Sequence, residues 1–77
     1  QIVTVVPLTT LSRGESPRRD EVVIRPDGTE LDDISVTVCN QVSSVDRLRI
    51  GRRIGRVSVS TMAAISRCLG NVLGLDD

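Results

Sequence analysis

Two threonine hydroxyls, Thr9 and Thr10, stand where an apolar segment meets a polar loop. The end of a strand is rigid enough to aim a hydroxyl, and an adjacent loop can close over a ligand. In that position both hydroxyls can contact a bound ligand. They can equally be turn residues that bond to nearby backbone groups. The sequence therefore marks Thr9 and Thr10 as candidate site residues and leaves both roles open.

The loop that follows carries three arginines, Arg13, Arg18 and Arg19. A guanidinium binds phosphate oxygens through a bidentate fork, so these residues could clamp a phosphate beside the threonines. They could instead form a solvated loop surface.

A second basic run could contribute only about half of its members to one patch, because alternate residues of a strand face opposite ways. The others would be surface charges or partners for Asp32, Asp33 and Asp46. The run consists of Arg47, Arg49, Arg52, Arg53 and Arg56.

Polar residues also end a predicted strand at Gln41, Ser43 and Ser44. They could contact base edges or a substrate backbone. Equally, they could be ordinary loop residues whose side chains bond within a turn.

The chain has no His, the commonest general base and metal ligand, so zinc catalysis is not expected. The sequence shows no nucleophile–base pair, metal-ligand cluster or phosphate-binding glycine loop, and it predicts no cofactor.

Composition limits the class of protein. Ten acidic residues balance ten arginines, so any nucleic-acid contact must come from a local patch. With 77 residues and no aromatic side chain, the chain can form one domain with a thin aliphatic core, and we expect an oligomer or a tight partner. Cys39 and Cys68 fit neither a disulfide framework nor a metal motif, and we interpret them as small apolar residues. Without a signal peptide or transmembrane stretch, the sequence predicts a cytoplasmic protein with no membrane partner.

The apolar pattern predicts short strands followed by one helix, an α+β fold in which a small curled sheet or barrel is closed by that helix. The helix should begin after Ser58 and end at Gly74. Pro26, Asp27 and Gly28 predict a turn, and Gly55 a bulge or close approach. Because the first strand needs neighbours, we expect the native fold to begin upstream. Strands are expected at residues 2–8, 21–25, 34–42 and 52–58, and polar connections at 11–20 and 43–49. The first strand should be buried on both faces, and the last should point Ile54 inward. The strand at 34–42 should be half-buried, with Ser35, Thr37, Cys39 and Gln41 on its outer face.

Three blocks, in this order, resemble the MazF/PemK family of toxin endoribonucleases. Residues 4–10 are similar to the family's central strand and its Pro-Leu-Thr-Thr end. Residues 40–47 resemble its Gln-Ile-Arg-Thr-Ile-Asp-Lys block, with Ser43 where the family usually has Arg. Residues 51–58, then Met62 and residues 72–75, resemble its last strand and helix. By this resemblance, residues 1–77 are a single incomplete domain that lacks roughly the N-terminal third.

The resemblance implies an SH3-like antiparallel barrel of the MazF/CcdB type with a C-terminal helix. It also implies a toxin that arrests growth and works as a homodimer. The toxin would cut single-stranded RNA at short sequences by 2′-OH attack. It would need no metal and would not act on DNA directly. Thr9 would donate its hydroxyl to a phosphate oxygen, with Thr10 as support. The family's catalytic Arg would lie in the missing third. The implied partner is a MazE-like antitoxin whose extended acidic tail covers the RNA groove. The RNA-binding residues would be Arg13, Arg18, Arg19, Gln41, Ser43 and Ser44.

Two alternatives remain at this level. A catalytically inactive module of the same fold could still dimerise or bind an antitoxin-like peptide, since Ser43 replaces an Arg. A gyrase poison of the CcdB type shares the fold by analogy. Such toxins act through a Trp-containing C-terminal end, whereas this chain has no Trp.

Overall fold

The computed structural model describes residues 1–12 and 14–74. Short strands form two antiparallel sheets, and a helix follows them. The first sheet pairs β1 with β5, and the second has the order β2–β4–β3. The elements are β1 (Ile2–Val5), β2 (Leu8–Thr10), β3 (Val23–Ile24), β4 (Ser35–Thr37), β5 (Ser43–Asp46) and α1 (Val59–Val72).

The apolar segment at the start of the chain is divided between the two sheets. β1 ends at Val5 and β2 begins at Leu8, with Pro7 between them. Proline has no N–H to donate, so the regular ladder stops there. Its carbonyl accepts a hydrogen bond from the Val38 N–H at 2.8 Å. The prediction of one strand buried on both faces is therefore wrong, and Ile2 is 65% exposed.

β4 is the central strand of its sheet, and all three of its residues are buried. The alternating pattern predicted a half-buried strand with Ser35 and Thr37 on the outer face, yet Thr37 is only 1% exposed. Hydrogen bonds to the backbone make this burial possible, because they satisfy both hydroxyls. Thr37 Oγ1 accepts from the Val22 N–H at 2.9 Å, and Ser35 Oγ donates to the Asp33 carbonyl at 3.3 Å. The strand is also shorter than predicted, because residues 39–41 form a turn of 3₁₀ helix.

Two other segments exchange their expected roles. Residues 43–46, predicted to be part of a connection, form β5 and pair with β1 along its whole length. Serine-rich segments have little intrinsic strand preference, so the pairing with β1 makes this segment a strand. Residues 52–58, predicted to be a strand, contribute an isolated antiparallel bridge between Gly55 and Thr29. Ile54, predicted to point inward, is 40% exposed.

The C-terminal helix agrees with the prediction at both ends. Ser58 is its N-cap, and the Ser58 hydroxyl accepts from the Thr61 N–H at 3.1 Å. Gly74 follows the helix with φ of +71°, the left-handed conformation in which glycine commonly ends helices. The helix buries Ile65 and Cys68. Both ends are therefore set by the local sequence.

The buried apolar residues come from β3, β4, the 3₁₀ turn and α1, so the helix and the second sheet build one small core. Antiparallel strands and a C-terminal helix confirm the predicted α+β class. The two sheets share no strand within residues 1–12 and 14–74, and closure of a barrel stays a prediction. No helix in this part of the chain has the length and apolar character needed to cross a membrane. The core residues are Ile24, Val36, Cys39, Ile65 and Cys68.

Candidate functional site

Thr9 and Thr10 lie on β2, an outer strand of the second sheet, and both are exposed. Their backbones are held by β4, with Thr9 opposite Val36 and Thr10 opposite Ser35. Within the described residues neither hydroxyl has a hydrogen-bond partner. This contrasts with Thr37, whose hydroxyl is bonded to backbone. The described residues thus show no bond from either hydroxyl to backbone, and the role of both threonines in a site stays a prediction.

The register places the two threonines on opposite faces of the sheet. Residues directly opposite one another on paired strands share a face. Thr9 therefore shares a face with Val36 and, across β4, with Val23. Thr10 shares the other face with Ser35 and Ile24. Because the two hydroxyls belong to opposite faces, one ligand group on one face of the sheet would meet only one of them.

Gln41, Ser43 and Ser44 lie on the surface next to the first sheet. Gln41 ends the 3₁₀ turn, and the two serines begin β5, with Ser43 opposite Val5. All three polar side chains are exposed. Because β1 continues through Pro7 into β2, Thr9 follows Val5 by four residues and lies at most about 14 Å from it. Ser43 and Ser44 therefore pair with β1, the strand that leads through Val6 and Pro7 into the strand that carries Thr9.

The loop arginines occupy a different place. Arg18 is part of a tight turn in which its N–H donates to Glu21 Oε1 at 2.7 Å. The Arg19 carbonyl accepts from Cys68 Sγ at 3.6 Å, and Arg19 lines a cleft of about 470 Å³ beside the C-terminal end of α1. No hydrogen bond among the described residues joins either arginine to Thr9. Arg13, the third member of the predicted clamp, lies outside the described residues.

The second basic run does not lie on a strand, so the predicted alternation of faces does not apply, and its described partners differ from those expected. Arg52 forms an ion pair with Glu30 at 2.6 Å. Arg47 donates to Gln1 Oε1 at 2.9 Å. Asp46, an expected ion-pair partner, instead accepts from the Leu48 backbone N–H at 2.9 Å. These residues thus hold the ends of β1 and the turn after β3 in place.

A cleft of about 350 Å³ contains two arginines that the sequence did not single out together. One wall is the end of β3 and the turn after it, and the other is the segment that enters α1. The signal available in the sequence was Gly55, whose close approach to Thr29 joins the two walls and places Arg56 next to the turn. The lining residues are Val23, Ile24, Arg25, Asp27, Thr29, Arg56, Val57, Ser58 and Thr61.

The two cysteines behave as buried apolar residues. Both are free thiols, and Cys39 is completely buried. Burial raises the pKa of the Cys68 thiol, and the neighbouring Cys39 thiol and the Asp20 carboxylate raise it further. Thr37 Oγ1 lies 3.3 Å from Cys39 Sγ. A buried thiol whose pKa is raised is a poor nucleophile, so Cys68 fits the predicted part of a small apolar residue.

The fold thus combines antiparallel strands, a C-terminal helix and exposed threonine side chains at the end of β2. The chain belongs to the PemK-like, MazF-like toxins of type II toxin–antitoxin systems, because the model of that family matches residues 1–73. The Mycobacterium tuberculosis toxin MazF-mt6 is 32% identical, with 99% of this chain and 73% of that chain covered and a TM-score of 0.82. A crystal structure of an Mtb toxin is 31% identical over 92% of this chain and 74% of its own, with a TM-score of 0.77.

Proposed function

We propose that the protein is the toxin of a type II toxin–antitoxin system and acts as a metal-independent endoribonuclease on single-stranded RNA. Membership in the MazF/PemK family supports this class of activity. The observation that carries the proposal is the Thr9 side chain, an exposed hydroxyl without a partner in the described residues on a strand that β4 holds in register. A hydroxyl so placed can donate to a phosphate oxygen without first breaking another hydrogen bond.

The reaction is an internal transfer at phosphorus. The 2′ oxygen of the RNA forms a bond to the adjacent phosphorus, and the bond from phosphorus to the 5′ oxygen breaks. The proton of the 2′-OH leaves with the attack, and the departing 5′ oxygen gains a proton. The products are a 2′,3′-cyclic phosphate and a free 5′-OH. Donors aimed at the phosphate oxygens stabilise the charge that develops on them, and this is the role proposed for Thr9.

The remaining parts of the proposal follow the family. An Arg upstream of Gln1 would complete the site, and the strands that carry it would close the sheets into an SH3-like barrel. The functional unit would be a homodimer, which agrees with the large apolar side chains left on the surface, including Leu48 at 92% exposed and Val59 at 89%. Gln41, Ser43 and Ser44 would contact RNA, as would the loop arginines 13, 18 and 19. A MazE-like antitoxin would cover this surface.

The second candidate function is a catalytically inactive module that binds a partner or a second copy. It is favoured by Ser43, whose short neutral side chain begins β5 where the family usually has a charged one. Such a module would retain the fold and the exposed apolar surface. Its antitoxin binding would be unchanged and its RNA cleavage absent.

One experiment separates the two functions. The full gene product is incubated with a mixed-sequence RNA in EDTA, and the new ends are mapped. Cleavage at a short motif, with a cyclic phosphate on one product and a 5′-OH on the other, is expected. A substrate with a 2′-deoxy sugar at the cut nucleotide should stay intact. If RNA remains whole while antitoxin binding is normal, the inactive module is the correct function.

A further inference from the structure

The cleft between the turn after β3 and the start of α1 has rigid walls. The Glu30 N–H donates to the Ile54 carbonyl at 2.7 Å, and the Thr29 N–H donates to the Pro26 carbonyl at 2.9 Å. Gly55 lies against Thr29 so closely that no larger residue would fit without movement. The opening of about 350 Å³ is within the range of small-ligand sites, and these hydrogen bonds define its shape before any ligand arrives.

The charge in this cleft is carried by Arg25 and Arg56. Neither forms an ion pair with any residue in the described ranges, although Arg52 nearby is paired with Glu30. Asp27 also lines the cleft and lies in no ion pair among the described residues. Two guanidiniums and one carboxylate give the lining a net positive charge, which favours an anion.

Of the three hydroxyls that line the cleft, those of Thr29 and Ser58 already donate to neighbouring groups, and that of Thr61 accepts from Ser58. Thr29 Oγ1 donates to the Pro26 carbonyl at 2.7 Å and accepts from the Leu31 N–H at 3.1 Å. Ser58 Oγ caps α1 through the Thr61 N–H. The guanidiniums of Arg25 and Arg56 thus remain as the main donors. Each offers several N–H groups and no acceptor, so the ligand must supply acceptor oxygens.

We propose that this cleft binds a phosphate of the RNA strand other than the one that is cut, and this inference rests on the function proposed above. A phosphodiester has two non-bridging oxygens that point apart and can meet arginines from two walls. A carboxylate is planar and is held best by one guanidinium fork. Val23, which lines the cleft, lies in the same cross-strand row as Thr9, two strand spacings or about 10 Å away. An RNA that passes Thr9 can therefore place a neighbouring phosphate in the cleft.

The test measures binding of an uncleavable strand. A fluorescent 2′-O-methyl oligonucleotide is titrated with the full gene product at several salt concentrations. The variant Arg25→Gln/Arg56→Gln should bind it at least about tenfold more weakly, and its slope of log K against log salt should be shallower by about 0.7 for one lost phosphate contact. The matched control, Arg49→Gln/Arg67→Gln, removes two exposed charges that do not line the cleft and should keep the slope.

Each other outcome decides against the phosphate site. Equal slopes for the cleft variant and the control would overturn it. So would an oligoglutamate peptide that binds the wild type but not the cleft variant, while oligonucleotide affinity is the same in both, since the cleft would then recognise a protein. Unfolding curves confirm that both variants fold. Because the probe cannot be cut, loss of binding in the cleft variant supports this inference even if the protein cleaves no RNA.

Discussion

A Cβ atom on Gly55 would lie 2.7 Å from the Cα of Thr29. That distance is shorter than any ordinary contact between carbon atoms, and the atom it meets is backbone. Thr29 cannot yield easily, because hydrogen bonds to Pro26 fix both its N–H and its hydroxyl. This contact joins the turn after β3 to the segment that enters α1, so the position tolerates no side chain.

The first prediction is that Gly55→Ala destabilises the protein by about 1–3 kcal/mol, the usual range for overpacking. Urea unfolding followed by circular dichroism measures the change. Gly51→Ala is the matched control, because a Cβ at Gly51 meets nothing within 4 Å. Its effect should stay within about 0.5 kcal/mol. Equal effects of the two substitutions would show that the contact between Gly55 and Thr29 does not limit this position.

The local signals in the sequence predicted their elements well. Ser58 and Gly74 set the ends of α1 through caps that need only neighbouring residues. The turn at Pro26 forms as predicted, and its Gly28 has a φ of +75° that favours glycine. Gly55 was correctly interpreted as a point of close approach. In each case the determinant lies within a few residues of the element, so one sequence is enough to find it.

The misassigned elements depend on partners that are distant in the sequence. β5 is a strand because β1 pairs with it, and Ser43 and Ser44 carry no strand signal of their own. Thr37 is buried because its hydroxyl accepts a hydrogen bond from Val22, fifteen residues earlier. The cleft with Arg25 and Arg56 was missed for the same reason, since its two walls come from separate segments. The strand end at Thr9 and Thr10 was predicted because such an end is visible locally, and their role in a site stays a prediction.

A second prediction concerns the two threonines of β2. Thr9→Ala in the full gene product should lower the RNA cleavage rate about 10²- to 10³-fold, as expected for loss of one donor to a charged oxygen. Thr9→Ser should retain most of the rate, because it keeps the hydroxyl. Thr10→Ala removes the same atoms from the adjacent position on the opposite face, and its effect should be clearly smaller. Single-turnover cleavage of a fluorescent RNA gives all three rates.

Binding of an uncleavable oligonucleotide should change little in Thr9→Ala, because the proposed contact strengthens as charge develops during the reaction. If Thr9→Ala cleaves at the wild-type rate, Thr9 is not part of the site. If Thr10→Ala is as severe as Thr9→Ala, the face assignment that follows from the β2–β4 register does not describe the active site. Unfolding curves should confirm that each variant is folded.

A third prediction concerns the start of α1. Ser58→Ala removes the hydroxyl that accepts from the Thr61 N–H and should lower the free energy of unfolding by about 1 kcal/mol. Ser58→Asp should keep the cap, because its carboxylate accepts the same bond and favours a helix N-terminus. The control is Ser66→Ala, an exposed position within α1 where Ala is the better helix former. A loss in Ser66→Ala equal to that in Ser58→Ala would argue against capping as the cause.

The last prediction follows from the Cys68 thiol, whose pKa is raised first by burial and then by Cys39 and Asp20. A thiol in the unfolded chain has a pKa of about 8.5. Below that pH both states hold the proton and the contribution to stability is complete. As the pH rises from there through the higher pKa of the folded state, the unfolded chain loses its proton first. The free energy of unfolding should therefore fall with increasing pH across this window.

The composition of residues 1–77 favours measurement of the Cys68 effect in this pH range. Residues 1–77 contain no Lys, Tyr or His, the side chains that would otherwise titrate in or near this window. Urea unfolding at pH 7, 8, 9 and 10 should show the fall in wild type and a flatter profile in Cys68→Ala. The free energy of unfolding of Cys68→Ala should be lower than that of wild type already at pH 7, because the substitution leaves a small cavity beside Cys39. The quantity to compare is therefore the slope of the free energy of unfolding against pH. An equally steep slope in Cys68→Ala would show that another group causes the loss of stability at high pH.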